Sequence, residues 1–142
     1  MHADAAFVSG SDHRVCQDYA LAGPSRAVVS DGCSSSPDTD IGARLLARAV
    51  AHGHSMERAW QHARLIEVPA NALDATVLRI HPTPTRFEVS AVGDGFVAAR
   101  RRSGGWVYWR LTYPSGAPLY ASYLMAPERL DAWAEAFCDT RL

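Results

Sequence analysis

The sequence predicts an α+β domain with strands and helices segregated into layers. Three observations carry that expectation. Short apolar runs bounded by Gly, Pro and Ser fill the first third, a helical period occupies Asp40 to Ile66, and alternating strand texture returns from Thr76 to Leu111. The resulting order of strands, two helices, four strands and a helix lacks the regular alternation of βαβ units.

In chain order, Ala5–Ser9, Asp18–Ala22 and Arg26–Asp31 are the first candidate strands, each closed by turn-forming residues. From Asp40 the period changes: Ile41, Leu45, Leu46 and Val50 fall on one stripe with Ala filling between them, which predicts a buried helix to His52. Gly53 stops it, Ser55 offers an N-cap for a second helix to about Ile66, and Pro69 ends that segment. Four strands follow around Thr76–Ile80, Phe87–Val92, Phe96–Ala99 and Trp106–Leu111. In the second of these, Phe87, Val89 and Ala91 face one way and Arg86, Glu88 and Ser90 the other. Ser103, Gly104 and Gly105 form the turn of the last hairpin. After Pro114–Pro118, Pro127 opens a final amphipathic helix to Cys138, with Leu130, Trp133, Ala134 and Phe137 on one face. That face has few strands left to cover it, so part of a larger domain is expected to be missing.

Composition narrows the function classes. The 142 residues carry 14 basic and 15 acidic side chains, net charge -1, and every basic residue is Arg. A balanced charge argues against a nucleic-acid binder working by phosphate neutralisation. Three Cys without regular spacing make no disulfide framework and fit a reducing cytoplasm. No leader pattern opens the chain and no stretch approaches the roughly 20 apolar residues of a membrane span, so neither nucleic acid nor membrane is an expected partner. Nothing in the sequence speaks to oligomeric state.

Four segments bear on chemistry. Val28-Val29-Ser30-Asp31-Gly32 is an apolar strand delivering an acid and then a Gly. An acid so held suits a hard cation, and the Gly lets its carbonyl approach; the alternative is a plain strand-to-turn Asp. His13-Arg14-Val15-Cys16-Gln17-Asp18 brings Asp18 to the start of the preceding strand. If Asp18 and Asp31 met near 4 Å, they would repel by about 4 kcal/mol at an effective dielectric near 20, and would need a cation, a proton or Arg. Leu73-Asp74-Ala75-Thr76 and Val92-Gly93-Asp94-Gly95 each place an acid at a strand end, and the second also reads as a hairpin turn.

In this order, from about Gly10 to Val97, the segments resemble the metal-dependent protein serine/threonine phosphatases of the PPM or PP2C type. That family's motifs run Arg, then Asn-Glu-Asp, an apolar strand ending Asp-Gly, Gly-Ser-Thr-Ala, and Gly-Asp-Ser. The resemblance implies a four-layer α-β-β-α sandwich, of which residues 1–142 are the N-terminal part. It also implies two Mg²⁺ or Mn²⁺ ions, a phosphorylated protein as substrate, and phosphoester hydrolysis by a metal-bound hydroxide, since coordination lowers the pKa of water from about 15.7 toward neutrality. Carried over residue by residue, Asp31 matches the bridging carboxylate, Gly32 the backbone carbonyl ligand, and Asp18 the acid on the neighbouring strand. Asp94 matches the Gly-Asp-Ser acid in a supporting role, and His13 with Arg14 stands at the phosphate-binding Arg.

Departures from the pattern imply an alternative, a catalytically inactive PP2C-like binding or regulatory module. Gln17 replaces the usual Glu, Cys33 follows Asp31-Gly32 where His or Met is common, and no Asp-Gly-hydrophobic or Asp-Asn motif follows Asp94. Two divalent ions bring +4 against the -2 of Asp18 and Asp31, and hard cations want about six oxygens each.

Other signals read as structural. His52, His54 and His62 are expected as solvated surface, not a zinc site, because residues two apart diverge by about 200° on a helix. Arg100-Arg101-Arg102 reads as a solvated hairpin end, with a docking patch for phosphorylated protein as the alternative, and Trp106, Tyr108 and Trp109 as sheet packing. Cys16 and Cys33 lie two residues from Asp18 and Asp31, on the same strand faces, and read as small core fillers or a redox pair.

Overall fold

The computed structural model describes residues 3–11, 14–23, 25–113 and 116–137. Among them the chain forms a mixed α+β structure with two antiparallel sheets and three α-helices. Strands β1 (Asp18–Ala22), β2 (Ala27–Asp31), β3 (Val77–Pro82) and β4 (Phe87–Val92) make a four-stranded sheet in that order. β5 (Gly95–Arg100) and β6 (Trp106–Leu111) make a two-stranded sheet. The helices are α1 (Thr39–Ala51), α2 (Met56–Leu65) and α3 (Pro127–Phe137), with short 3₁₀ turns at Ala70–Leu73 and Ala121–Met125. None of the helices described is long and apolar enough to cross a membrane.

The core lies between α1 and one face of the larger sheet. Strand alternation sends Tyr19 and Leu21 of β1, Val28 of β2 and Val77 of β3 toward α1, whose Ala43, Leu46, Ala47 and Val50 meet them. Ala dominates this helix because its backbone runs close to its neighbours. A Cβ built on Gly42 would fall 1.7 Å from the carbonyl oxygen of Ala72, so the 3₁₀ turn before β3 packs against bare helix backbone. Ala59 and Ala63 carry α2 into the same core.

On the other face, Ala20, Val29, Leu78, Ile80, Ala91, Val89 and Phe87 line up across the register. The expected alternation in β4 is present, yet its apolar side is open: Phe87 is 64% exposed and Val89 44%. The Gly93-Asp94 bend is not a hairpin turn. β4 pairs with β3 and β5 with β6, so the bend carries the chain from one sheet to the other. Gly93 has φ of 93°, and a Cβ there would lie 2.5 Å from the Thr76 methyl, so bend and β3 are in contact.

The expected strand at Ala5–Ser9 does not form. Among the described residues this run belongs to neither sheet, and its Phe7 lies against Tyr19, ring centroids 4.9 Å apart. Helix boundaries otherwise move by a residue: α1 begins at Thr39 and ends at Ala51, one residue ahead of the expected limits. The apolar face of α3 is indeed sparsely covered. Trp133 touches Tyr113 edge-on and donates to the Ala117 carbonyl at 3.3 Å, while Phe137 is exposed. Cys138, expected to end that helix, lies outside the described residues.

Candidate functional site

The β1–β2 hairpin builds the site. Its register sets Asp18 directly opposite Asp31, and Gly32 N–H donates to the Gln17 carbonyl at 3.1 Å, extending the ladder one pair beyond the strand ends. Since Gln17 and Gly32 are thus a hydrogen-bonded pair, Asp18 and Asp31 are a non-hydrogen-bonded one, the kind that brings side chains closest. Their carboxyl groups share a hydrogen bond. Both face an open pocket of about 400 Å³, whose wall also includes Gly32, Cys33, Thr76 and Asp94.

Each wall residue has a local reason to be there. Gly32 bridges Ala75, and Asp31 is fastened to β3 by Thr76 N–H donating to its carbonyl at 2.8 Å. A Cβ on Gly32 would meet the Gln17 carbonyl at 2.8 Å and Thr39 at 2.9 Å, so this position admits only a bare backbone. Asp94 reaches the pocket from the inter-sheet bend. Tyr120 arrives because Ala121 N–H donates to the Ala75 carbonyl at 3.0 Å, pinning the second 3₁₀ turn beside the start of β3.

Electrostatics mark the carboxylate pair. Burial raises the Asp31 carboxyl, the shared hydrogen bond and charge of Asp18 raise it further, and Asp94 adds to both, so that it titrates at about 6 against 3.8 for an ordinary Asp. No Arg or His stands among the described lining residues to neutralise these acids. Cys33 is a second perturbed group. Burial pushes its thiol up, but hydrogen bonds from Ser35, Tyr120 and Ser36 outweigh this and hold it below its usual value. Tyr120 is raised in turn, by burial first and then by Cys33.

The structure therefore brings together Asp18, Asp31, Gly32 and Asp94 of the expected site. Arg14 lies exposed in the bend before β1 and is not part of the pocket wall, and His13 lies outside the described residues. Gln17 turns toward the helix side, where its amide donates to Thr39 Oγ1 at 2.9 Å. Thr76 and Tyr120 had not been singled out as pocket residues. Tyr120 follows a Pro- and Gly-containing stretch with no period to read, so only the folded chain places it here.

The donor set suits a hard divalent cation. Two facing carboxylates are oxygen ligands of the type Mg²⁺ and Mn²⁺ select. Among the described residues no three His, Cys, Asp or Glu side chains are grouped closely enough to hold an ion. Asp18 and Asp31 are therefore two facing carboxylates in the pocket wall, without a third such ligand grouped with them among the described residues. Comparison with protein-family models, curated proteins and solved structures gave no match to the chain.

Proposed function

We propose that this chain is a PP2C-like domain that hydrolyses phosphoserine and phosphothreonine on proteins with the help of Mg²⁺ or Mn²⁺, acting in the cytoplasm. One observation carries the reading: Asp18 and Asp31 face each other across the β1–β2 register at the mouth of a pocket lacking basic lining among the described residues. The larger sheet, with α1 and α2 packed on one face, supports one α-β pair of layers, half of an α-β-β-α sandwich.

Asp31 and Asp18 would hold the cation, with the Gly32 carbonyl beside them and Asp94 adding negative charge from the bend. A bound divalent ion supplies Lewis acidity and lowers the pKa of coordinated water toward neutrality. The chain's own residues set the stage. The β2–β3 bonds to Asp31 and Gly32 fix the carboxylate in place, and Asp31 must lose its proton before it can bind an ion, which happens near pH 6. The test is Mn²⁺-dependent hydrolysis of an aryl phosphate, with Asp31→Asn as control. Activity confined to the parent chain supports the proposal, and equal rates in both remove it.

A second reading, an inactive binding or regulatory module of the same fold, is favoured by a different observation. Arg14 is absent from the pocket wall and Gln17 is committed to Thr39, so neither serves a phosphate or an ion there. Melting curves separate the two. Mn²⁺ at 100 times its dissociation constant stabilises a binding chain by roughly 2.7 kcal/mol, whereas a module without the cation site shows no rise.

A further inference from the structure

We propose that Cys16 and Cys33 are a disulfide-forming pair at the mouth of the carboxylate pocket, joined across the β1–β2 register by a peroxide. The argument is geometric and independent of any metal. Asp18 opposes Asp31, and Gln17 opposes Gly32 through the 3.1 Å bond from Gly32 N–H. Counted one step beyond the residues that pair in the sheet, the same register sets Cys16 opposite Cys33. This pair has the parity of Asp18 and Asp31: non-hydrogen-bonded, with both side chains on one face. Such pairs have Cα atoms roughly 4.5 Å apart, inside the roughly 4.4–6.8 Å that a disulfide spans. Both residues line the same pocket and both thiols are free and half-buried, which gives a small oxidant access.

Each thiol now has another partner. Cys16 Sγ donates to the Asp18 carbonyl at 3.3 Å, and Cys33 Sγ lies 3.0 Å from Ser35 Oγ. The Cys16 contact is single and exposed, so rotation of that side chain frees its thiol, while Cys33 must also give up its hydrogen bonds with Tyr120 and Ser36 to form the S–S bond. Cys33 itself is anchored, because its N–H donates to the Asp74 carbonyl at 2.8 Å, so Cys16, beyond the end of the edge strand, is the half that moves.

The chemistry balances with one peroxide. A thiol sulfur attacks a peroxide oxygen, the O–O bond breaks, and a sulfenic acid and one water result. The second thiol displaces the sulfenic oxygen, the S–S bond forms, and a second water leaves with the remaining proton. Two sulfurs are oxidised and hydrogen peroxide is reduced.

The experiment treats the full chain carrying Cys138→Ser with hydrogen peroxide, then maps tryptic peptides without reductant. Cleavage after Arg14, Arg26 and Arg44 places Cys16 in peptide 15–26 and Cys33 in peptide 27–44. The expected product is these two peptides joined, two hydrogens lighter than their sum, formed at a rate independent of protein concentration and released by dithiothreitol. Cys16→Ser in the same background loses the joined species and leaves Cys33 trappable by dimedone. Absence of the joined peptides from the oxidised Cys138→Ser chain overturns the proposal, as does a joined species appearing only between molecules. No readout involves a metal or a phosphate ester, so a chain that ignores Mn²⁺ removes the function proposed above and leaves this result standing.

Discussion

Asp74 and Arg129 form an ion pair of 2.9 Å between the residue that closes the first 3₁₀ turn and the first turn of α3. Asp74 is buried, and it also accepts hydrogen bonds from Ser122 and, at 2.7 Å, from Ser36. Arg129 lies over the Tyr123 ring, 4.6 Å from its centroid. The acid thus ties together the loop after Gly32, the second 3₁₀ turn and the last helix. Because that turn delivers Tyr120, the clamp also shapes the pocket wall.

Removing the guanidinium should therefore loosen more than α3. Arg129→Ala leaves a buried carboxylate with only its two Ser donors. The cost is about 2 kcal/mol, less than for a fully buried pair because Arg129 is partly exposed. Urea unfolding measures it, and a change below about 0.5 kcal/mol would show the clamp to be decorative.

The raised Asp31 carboxyl makes a pH prediction whose sign runs against the usual carboxylate. Its folded value of about 6 exceeds the ordinary 3.8, so the folded chain holds the extra proton between these values. Without added metal, its stabilising contribution is present below about pH 4 and is lost as pH rises through about 6. Asp31→Asn flattens that slope, as melting temperatures from pH 4 to 8 will show.

Cation affinity follows the opposite course, because the ion and the proton compete for one carboxylate. The apparent affinity for Mn²⁺ rises about tenfold per pH unit below pH 6 and levels off above it. Titration calorimetry at pH 5, 6 and 7.5 checks this, and a pH-independent affinity would place the ion elsewhere. Asp94→Asn moves the midpoint down, since Asp94 is one of the charges that raise Asp31.

Gly42→Ala tests the packing of α1. With the new Cβ 1.7 Å from the Ala72 carbonyl oxygen, helix and 3₁₀ turn must separate, at a cost of about 3 kcal/mol. Chemical denaturation reads the loss. Ala43→Gly, which removes a buried methyl from the same helix and strains nothing, should cost less.

The carboxylate pair was legible in the sequence because strand alternation and a short connection determine it. Asp18 and Asp31 sit at the far ends of two runs that a tight turn folds together, and the register follows from counting outward from that turn. The helical stripe through Leu46 and Val50 was equally plain. What escaped reading depends on partners distant in the chain. Nothing near Asp74 announces Arg129, 55 residues on, and the 3₁₀ turns are too short to show a period. Ala5–Ser9 has the texture of a strand but joins neither sheet among the described residues, and texture alone does not place a strand in a sheet. Phe87 and Val89 alternate as buried residues should, yet stand open, since a pattern tells which side is apolar without supplying what lies against it.

The two acids do not share the same security. β1 is the outer strand of its sheet, held along one side only, while β2 is gripped from both flanks. Breathing of the sheet will release Asp18 long before it disturbs Asp31, so the pair comes apart one arm at a time. A ligand seated there has a built-in exit on the β1 side, and backbone amide exchange should be fastest at that margin and slowest around Val28.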